Sequence, residues 1–81
     1  MTRDQIELTV LRLLGEIAPE VDTAAIKPDV NLRDQIDIDS MDFLNFVIAI
    51  HKELGVEIPE ADYSRLVTLG GCVDYLSARV G

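Results

Sequence analysis

Residues 39–55 read DSMDFLNFVIAIHKELG, and this stretch predicts the central element of the fold. Asp39 is a good N-cap residue, and Asp42 places an acid in the first turn, where the helix dipole favours negative charge. Gly55 is the residue type that most often follows the last turn of a helix. The stretch therefore predicts a helix from about Ser40 to Leu54.

The predicted helix carries more apolar side chains than one buried face requires. Between Phe43 and Ile50 these side chains point in almost every direction around the axis. A helix in a small globule buries one face, so some of them should remain near the surface, where exposed apolar patches commonly mark binding sites. The candidates are Met41, Phe43, Leu44 and Val47. The alternative is that a loop covers them, and a loop over the helix could also enclose a pocket.

The segment before this helix contains one further helix and a long loop. Over residues 4–17 apolar side chains recur with helical spacing, at Ile6, Val10, Leu13, Leu14 and Ile17. Thr2 or Asp4 can cap its start, and Pro19 stops it. Residues 18–39 read as a loop without regular structure, which is unusual in so small a domain and often functional. We expect its scattered apolar residues to pin it across the core: Val21, Ile26, Val30, Leu32, Ile36 and Ile38.

The segment after the helix is also helical in pattern. A short helical turn is predicted over residues 61–66, and Thr68 looks like the N-cap of a last helix. Its apolar spine is Val73, Leu76 and Val80. Gly70 and Gly71 should weaken its first turn, since glycine is a poor helix former. Alternating strand patterns are absent, so we predict an all-α bundle of three main helices and one short one, with the long loop between helices 1 and 2.

Composition excludes several classes of function. The chain has 81 residues, enough for a single domain over residues 1–81, and its net charge is −8. Nucleic-acid binding needs clustered cations, so it is not expected, whereas 48% hydrophobic residues argue against disorder. Cys72 and His51, each the only residue of its type, are too few for a disulfide or a zinc site. With no secretory signal and no apolar run long enough to span a membrane, we expect a soluble, cytoplasmic protein.

Ser40 is the residue best placed for chemistry. It falls at the first helical position, where backbone N–H groups and the positive helix end suit a phosphate, so it could carry a phosphodiester. The alternative is that Asp39 and Ser40 only start a helix, as these residue types often do. His51 lies eleven residues further along the same helix, roughly 16 Å away, so it cannot activate Ser40 as a nucleophile. Self-contained catalysis is therefore not expected, and no catalytic residue is assigned.

A dedicated calcium site is not expected either, although aspartates crowd this region. An EF-hand loop that starts at Asp37 would place Met41, Asp42 and Ile48 where the motif needs an oxygen ligand, a glycine and a glutamate. A start at Asp29 fails in the same way. No metal ligand is assigned, and weak divalent binding by the carboxylates is left open.

Taken together, these features resemble the acyl carrier protein family. The likeness covers about residues 6–76 and rests most strongly on Asp39-Ser40-Met41-Asp42 after a long loop, with Glu57-Ile58-Pro59 downstream. Further matching positions are Leu32, Ile36, Val47, Ala49, Glu53, Leu54, Asp62, Thr68 and Val73-Asp74-Tyr75-Leu76. The short motif is weak alone but specific in an acidic all-α chain of this size.

The resemblance implies a carrier rather than an enzyme. A phosphopantetheinyl transferase would attach 4′-phosphopantetheine from coenzyme A to Ser40, and the thiol of that arm would carry acyl groups as thioesters. Asp39 would help to place the transferase and its metal. Asp37, Asp39 and Asp42 would form an acidic face for acyl-loading and acyl-processing enzymes with basic docking surfaces. Cys72 would have no part in this chemistry and would only pack.

The sequence departs from the housekeeping pattern of that family. Met41 stands where leucine is usual, Asp37 replaces a common glycine, and His51-Lys52 replaces an acidic pair. The helix is therefore less acidic and more apolar, which predicts a specialised, free-standing, monomeric carrier with a dedicated partner in fatty-acid, polyketide or lipid metabolism. Partner recognition is assigned to Asp37, Met41, Asp42, Phe43, Leu44 and Val47. The alternatives are a peptidyl carrier, or a small helical interaction domain in which Ser40 only starts a helix.

Overall fold

The computed structural model describes residues 1–80, and every regular element in that range is helical. The α-helices are α1 (Arg3–Ile17), α2 (Leu32–Gln35), α3 (Ser40–Leu54) and α4 (Leu69–Ser77), and 3₁₀ helices span Thr23–Ala25 and Glu60–Leu66. The predicted all-α class is confirmed: α1, α3 and α4 are the main helices, and Glu60–Leu66 is the short one.

Helix α1 begins where its capping residues place it. The Thr2 hydroxyl accepts a hydrogen bond from the Gln5 N–H at 3.1 Å, and the Gln5 side chain accepts one from the Thr2 N–H at 2.8 Å. This reciprocal capping box satisfies two N–H groups that the first turn leaves without partners. The predicted stripe then faces the core, where Ile6, Val10, Leu13 and Leu14 are buried.

The long loop has more structure than the sequence predicted. It contains one 3₁₀ turn and α2, which begin where the side chains of Asp22 and Asn31 accept hydrogen bonds from backbone N–H groups. The Gln35 amide also donates to the carbonyl groups of Lys27 and Val30, at 2.9 and 3.0 Å. The long loop is confirmed, but the expectation that it has no regular structure was wrong over these two short helical segments, where polar contacts within the loop satisfy its backbone.

The expected anchoring of this loop is confirmed. Leu32 is completely buried and Ile38 is buried, while Ile26 and Ile36 pack against the core with part of their surface exposed. Val21 and Val30 are half-buried. Apolar residues therefore fix the loop at both sides of α2, and its last anchor lies two residues before Ser40.

The chain after α3 is predicted correctly in outline. Gly55 ends α3 with φ at +66°, and the short turn is the 3₁₀ helix Glu60–Leu66. Thr68 caps α4, as predicted, but α4 ends at Ser77, so Val80 does not extend the helix. The Val80 N–H still donates to the Leu76 carbonyl at 2.8 Å, and the side chain packs half-buried against the core.

Gly70 and Gly71 lie at the start of α4, where the neighbouring backbone leaves little room for a side chain at Gly70 and none at Gly71. A Cβ atom on Gly71 would lie 2.5 Å from the carbonyl oxygen of Arg65, and one on Gly70 would lie 3.0 Å from that of Pro28. The two glycines cost helix propensity, as predicted. In exchange, they let α4 approach the long loop and the preceding 3₁₀ helix closely.

A single core joins the four α-helices and the 3₁₀ helix Glu60–Leu66. Residues from α1, α2, α3 and α4 form one buried cluster that includes Phe46, Ile50 and Leu76. At the surface, Arg3 forms a 2.6 Å ion pair with Asp74, and Arg12 pairs with Glu53, so α1 is tied to both α4 and α3. Exposed ion pairs of this kind add little stability, so apolar packing holds the bundle together.

Candidate functional site

Ser40 is the first residue of α3 and is exposed. The predicted cap is confirmed and forms a second capping box: Asp39 Oδ1 accepts from the Asp42 N–H at 2.8 Å, and Asp42 Oδ2 accepts from the Asp39 N–H at 3.2 Å. The box fixes the backbone on both sides of Ser40. The hydroxyl is therefore presented to solvent from a rigid helix start.

Two backbone N–H groups at this helix start are unused. The N–H of Asp42 is taken by the cap, and that of Phe43 donates to the Asp39 carbonyl at 3.0 Å. Within residues 1–80, the N–H groups of Ser40 and Met41 donate to no protein acceptor. Free N–H groups at the positive end of a 15-residue helix suit a phosphate. The local donors thus fit a phosphodiester on the Ser40 hydroxyl.

The acidic residues around Ser40 keep their charge unneutralised. Asp37 and Asp39 are exposed, and Asp42 is half-buried within the capping box. The ion pairs among the described residues join Arg3 to Asp74 and Arg12 to two glutamates, so none involves these three aspartates. Nor does any group of three His, Cys, Asp or Glu side chains in that range hold a metal-binding arrangement. The helix start therefore offers a local negative field to a basic protein surface.

The apolar surface of α3 differs in part from the prediction. Met41 is 62% exposed, and Phe43 and Leu44 are half-buried. Val47 is only 2% exposed, so its predicted exposure was wrong: it faces the buried cluster. Ile48, which the sequence reasoning did not single out, is 40% exposed. Its position seven residues after Met41 was the available signal, because residues at this spacing share a helix face.

Charge is sparse along the rest of α3. Residues 43–52 contain no acid, and Glu53 is already paired with Arg12. Residues 43–52 do contain His51 and Lys52, and both side chains are exposed. The helix is therefore acidic at its start and apolar, with no acid, along its middle.

The sequence suggested a pocket under the long loop, but the cleft beside α3 lies elsewhere. It has a volume of about 160 Å³ and lies between the second half of α3 and the segment that follows this helix. Its lining residues are Val47, Ile48, His51, Glu57, Ile58 and Tyr63. Leu32 and Ile38 are buried and pack the long loop onto the core. A larger pocket of about 340 Å³ lies within the long loop, and its lining contains no residue of α3.

His51 is oriented at the edge of this cleft. Its Nδ1 atom lies 2.8 Å from the carbonyl oxygen of Val56. Because a carbonyl oxygen can only accept, Nδ1 carries the proton in this contact. Nε2 is then the ring nitrogen left for another partner.

Cys72 is buried in α4, in agreement with its expected packing role. Its Sγ donates to the Leu66 carbonyl at 3.2 Å. Burial raises the pKa of this thiol to about 12, and a hydrogen bond with the backbone of Cys72 itself only partly opposes the shift. A thiol reacts as its thiolate, so Cys72 is inert at neutral pH.

None of the helices in residues 1–80 is both long enough and apolar enough to cross a membrane.

Comparisons with known proteins agree with this geometry. The family model described as "Phosphopantetheine attachment site" matches residues 8–76. An acyl carrier protein of Lactobacillus johnsonii is 31% identical over 78 residues, covering 96% of each chain. One of Acidothermus cellulolyticus is 27% identical over 77 residues, covering 95% of this chain and 90% of the relative. The solved structure of the acyl carrier protein from Enterococcus faecalis superposes with a TM-score of 0.80 at 26% identity, covering 96% of this chain and 98% of that one.

These matches span nearly the whole chain and confirm the predicted family. Acyl carrier proteins are non-catalytic carriers with a covalently attached 4′-phosphopantetheine, and the family implies work with a phosphopantetheinyl transferase and acyl-handling enzymes. The helix start, the acidic surroundings and the comparisons thus agree: the chain belongs to the acyl carrier protein family.

Proposed function

We propose that Ser40 bears the 4′-phosphopantetheine arm and that the protein carries acyl groups as thioesters on it, in a specialised fatty-acid, polyketide or lipid pathway. The observation that carries this proposal is the open start of α3, where an exposed hydroxyl lies beside two unused N–H groups. Asp39, which holds this helix start in place, would also help to position the transferase.

The chain contributes a nucleophile and a rigid frame, and it supplies no base. Ser40 Oγ would displace adenosine 3′,5′-bisphosphate from coenzyme A, forming a phosphodiester and giving its proton to the transferase. His51 is three helical turns away, roughly 16 Å along the axis, so it cannot take that proton. The bound arm supplies a terminal thiol for thioester formation. The buried Cys72 thiol does not compete with it.

The direct test is the intact mass of the chain after incubation with coenzyme A and a broad phosphopantetheinyl transferase. We expect a gain of one phosphopantetheine that is lost in Ser40→Ala. Ser64, an exposed serine of the 3₁₀ helix Glu60–Leu66, offers a matched control, and Ser64→Ala should keep the full gain. No gain with several transferases, or a gain that persists in Ser40→Ala, would contradict the proposal.

We further propose that partner enzymes recognise two adjacent surfaces. Asp37, Asp39 and Asp42 attract the basic surface of the transferase to the helix start, since no ion pair among residues 1–80 involves them. Met41, with the half-buried Phe43 and Leu44, offers apolar contact to a dedicated acyl-handling enzyme. The absence of acids from residues 43–52 supports a partner that does not depend on a basic groove along α3.

Met41 provides the cleanest test of the apolar surface. Phe43→Glu should also weaken the partner, but Phe43 packs on the core with its ring 6.2 Å from that of Phe46, so this variant also loses stability. Met41→Glu should lower turnover by the acyl-handling partner about tenfold or more, as loss of a central apolar contact does, and leave loading of Ser40 largely intact. Leu8→Glu is the matched control, because Leu8 is 67% exposed on α1. Equal turnover in the two variants would contradict the assignment.

The single carrier domain over residues 1–81 is supported by the core that joins residues of α1 to α4. That the carrier is free-standing, monomeric and cytoplasmic stays a prediction. Size-exclusion chromatography with light scattering, and the mass and location of the protein in its own cells, would test it.

A further inference from the structure

We infer that the cleft beside the second half of α3 selects acyl groups that bear a hydroxyl, with His51 and Tyr63 as the specificity-determining residues. The inference rests on the proposed attachment of the arm at Ser40. It adds a cargo class to that function.

The register of α3 connects Ser40 to the cleft. Ser40, Leu44, Val47 and His51 lie at i, i+4, i+7 and i+11, which is one face of a helix. An arm attached at Ser40 and folded back along α3 therefore passes the half-buried Leu44 before it reaches the cleft. Val47 and His51, the last two residues of this row, are part of the cleft lining.

The cleft is small and only half apolar. Ile48 and Ile58, with the small exposed part of Val47, supply apolar contact for a short carbon chain. His51, Glu57 and Tyr63 place a ring nitrogen, a carboxylate and a phenol in the same lining. His51 and Glu57 are exposed and Tyr63 is half-buried, so their polar groups are accessible to a bound cargo. A plain alkyl chain offers them no hydrogen bond, whereas a chain with a polar substituent does.

The chemistry of these groups favours a donor on the cargo. With Nδ1 held by the Val56 carbonyl, Nε2 of neutral His51 can only accept, and an ionised Glu57 carboxylate also only accepts. The negative charge of Glu57 disfavours a carboxylated cargo. Tyr63 can both donate and accept. A hydroxyl on a short acyl chain can donate to one of the two acceptors, His51 Nε2 or the Glu57 carboxylate, and accept from the Tyr63 hydroxyl, which an alkyl or an anionic chain cannot do.

The test compares two cargoes of equal carbon number on the intact chain. A transferase loads Ser40 from hexanoyl-coenzyme A or from 3-hydroxyhexanoyl-coenzyme A, and intact mass confirms complete loading. The readouts are the NMR shifts of the His51 ring nitrogens and the Tyr63 ring, together with the melting temperature. We expect larger shifts with the hydroxyacyl group. We also expect a melting temperature about 4–8 °C higher than with hexanoyl, the size of one net hydrogen bond in a domain of this length.

Variants separate the cleft from general effects of the arm. Tyr63→Phe removes only a hydroxyl, and His51→Phe removes the ring nitrogens, so each should reduce the difference between the two cargoes by half or more. Lys52→Gln alters an exposed neighbour outside the cleft lining and should preserve the difference. Loaded proteins with equal shifts and equal melting temperatures, or with a hexanoyl form that is the more stable, would overturn the inference and leave the proposed function standing. A chain that takes no arm at Ser40 would overturn both.

Discussion

The starts of α3 and α4 use the same capping chemistry for opposite purposes. Asp39 accepts from the Asp42 N–H at 2.8 Å, and Thr68 accepts from the Gly71 N–H at 2.9 Å. After the cap, Ser40 is exposed at the start of α3, whereas Leu69 is buried at the start of α4. A helix N-terminus therefore says little about function by itself. What surrounds it decides whether a ligand can reach it.

The backbone N–H groups at the starts of α3 and α4 also differ in whether they have acceptors. At α4 the Gly70 N–H donates to the Pro28 carbonyl at 2.8 Å, so the long loop occupies the position that an anion would take. At α3 the N–H groups of Ser40 and Met41 have no protein acceptor within residues 1–80. The loop thus closes one helix start and leaves the other open.

The largest expected effect comes from filling the closed start. Gly71→Ala would place a methyl group 2.5 Å from the Arg65 carbonyl oxygen, so the backbone must move. Overpacking of this kind lowers the free energy of unfolding by about 1–3 kcal/mol, more than the helix propensity that alanine restores. Urea denaturation measures the loss. Ser40→Ala, at the open start, is the control and should change stability little. A stabilised Gly71→Ala would contradict the close packing of α4.

Removing each cap should have a smaller effect on stability and a different effect on function. Asp39→Ala and Thr68→Ala should each lower the free energy of unfolding by about 1 kcal/mol, the usual value of an N-cap. Only Asp39→Ala should also slow transfer of the arm to Ser40, measured as the rate of mass gain. Equal transfer rates in the two variants would show that the frame around Ser40 does not depend on its cap.

The smallest expected effect on stability near neutral pH is that of replacing Cys72, which lies in α4. Its pKa rises from 9.0 to about 12 on burial, so as pH rises the unfolded chain loses this proton before the folded chain does. This contribution to stability is complete below pH 9 and is lost progressively as pH rises from about 9 to about 12. The Cys72→Ala variant should therefore lose stability less steeply there, by up to about 1.4 kcal/mol per pH unit. Parallel pH profiles for the two proteins would contradict the burial of the thiol.

The open start could be predicted from sequence because its signals are local. Asp39 and Gly55 correctly predicted where α3 begins and ends. A capping carboxylate and a glycine with positive φ each determine a helix end through contacts with residues nearby in the sequence. The family resemblance rests most strongly on the same stretch, and its other matching positions extend over about residues 6–76. Ser40 could therefore be selected without knowledge of the packing.

The closed start and the cleft could not be predicted, because they depend on distant contacts. Gly70 and Gly71 look like weak helix formers until Pro28 and Arg65 are placed beside them. The burial of Val47 depends on how α3 rotates against the core. The cleft lies between α3 and the segment that follows it, so its position depends on how these two pack together.

The most direct test of the open start of α3 as the functional site is peptide mapping of the protein purified from its own cells. Tandem mass spectrometry would locate the phosphopantetheine on one serine. We expect it on Ser40, with Ser64 and Ser77 unmodified. An arm on either of those serines, or none on any serine under conditions in which the pathway operates, would contradict it.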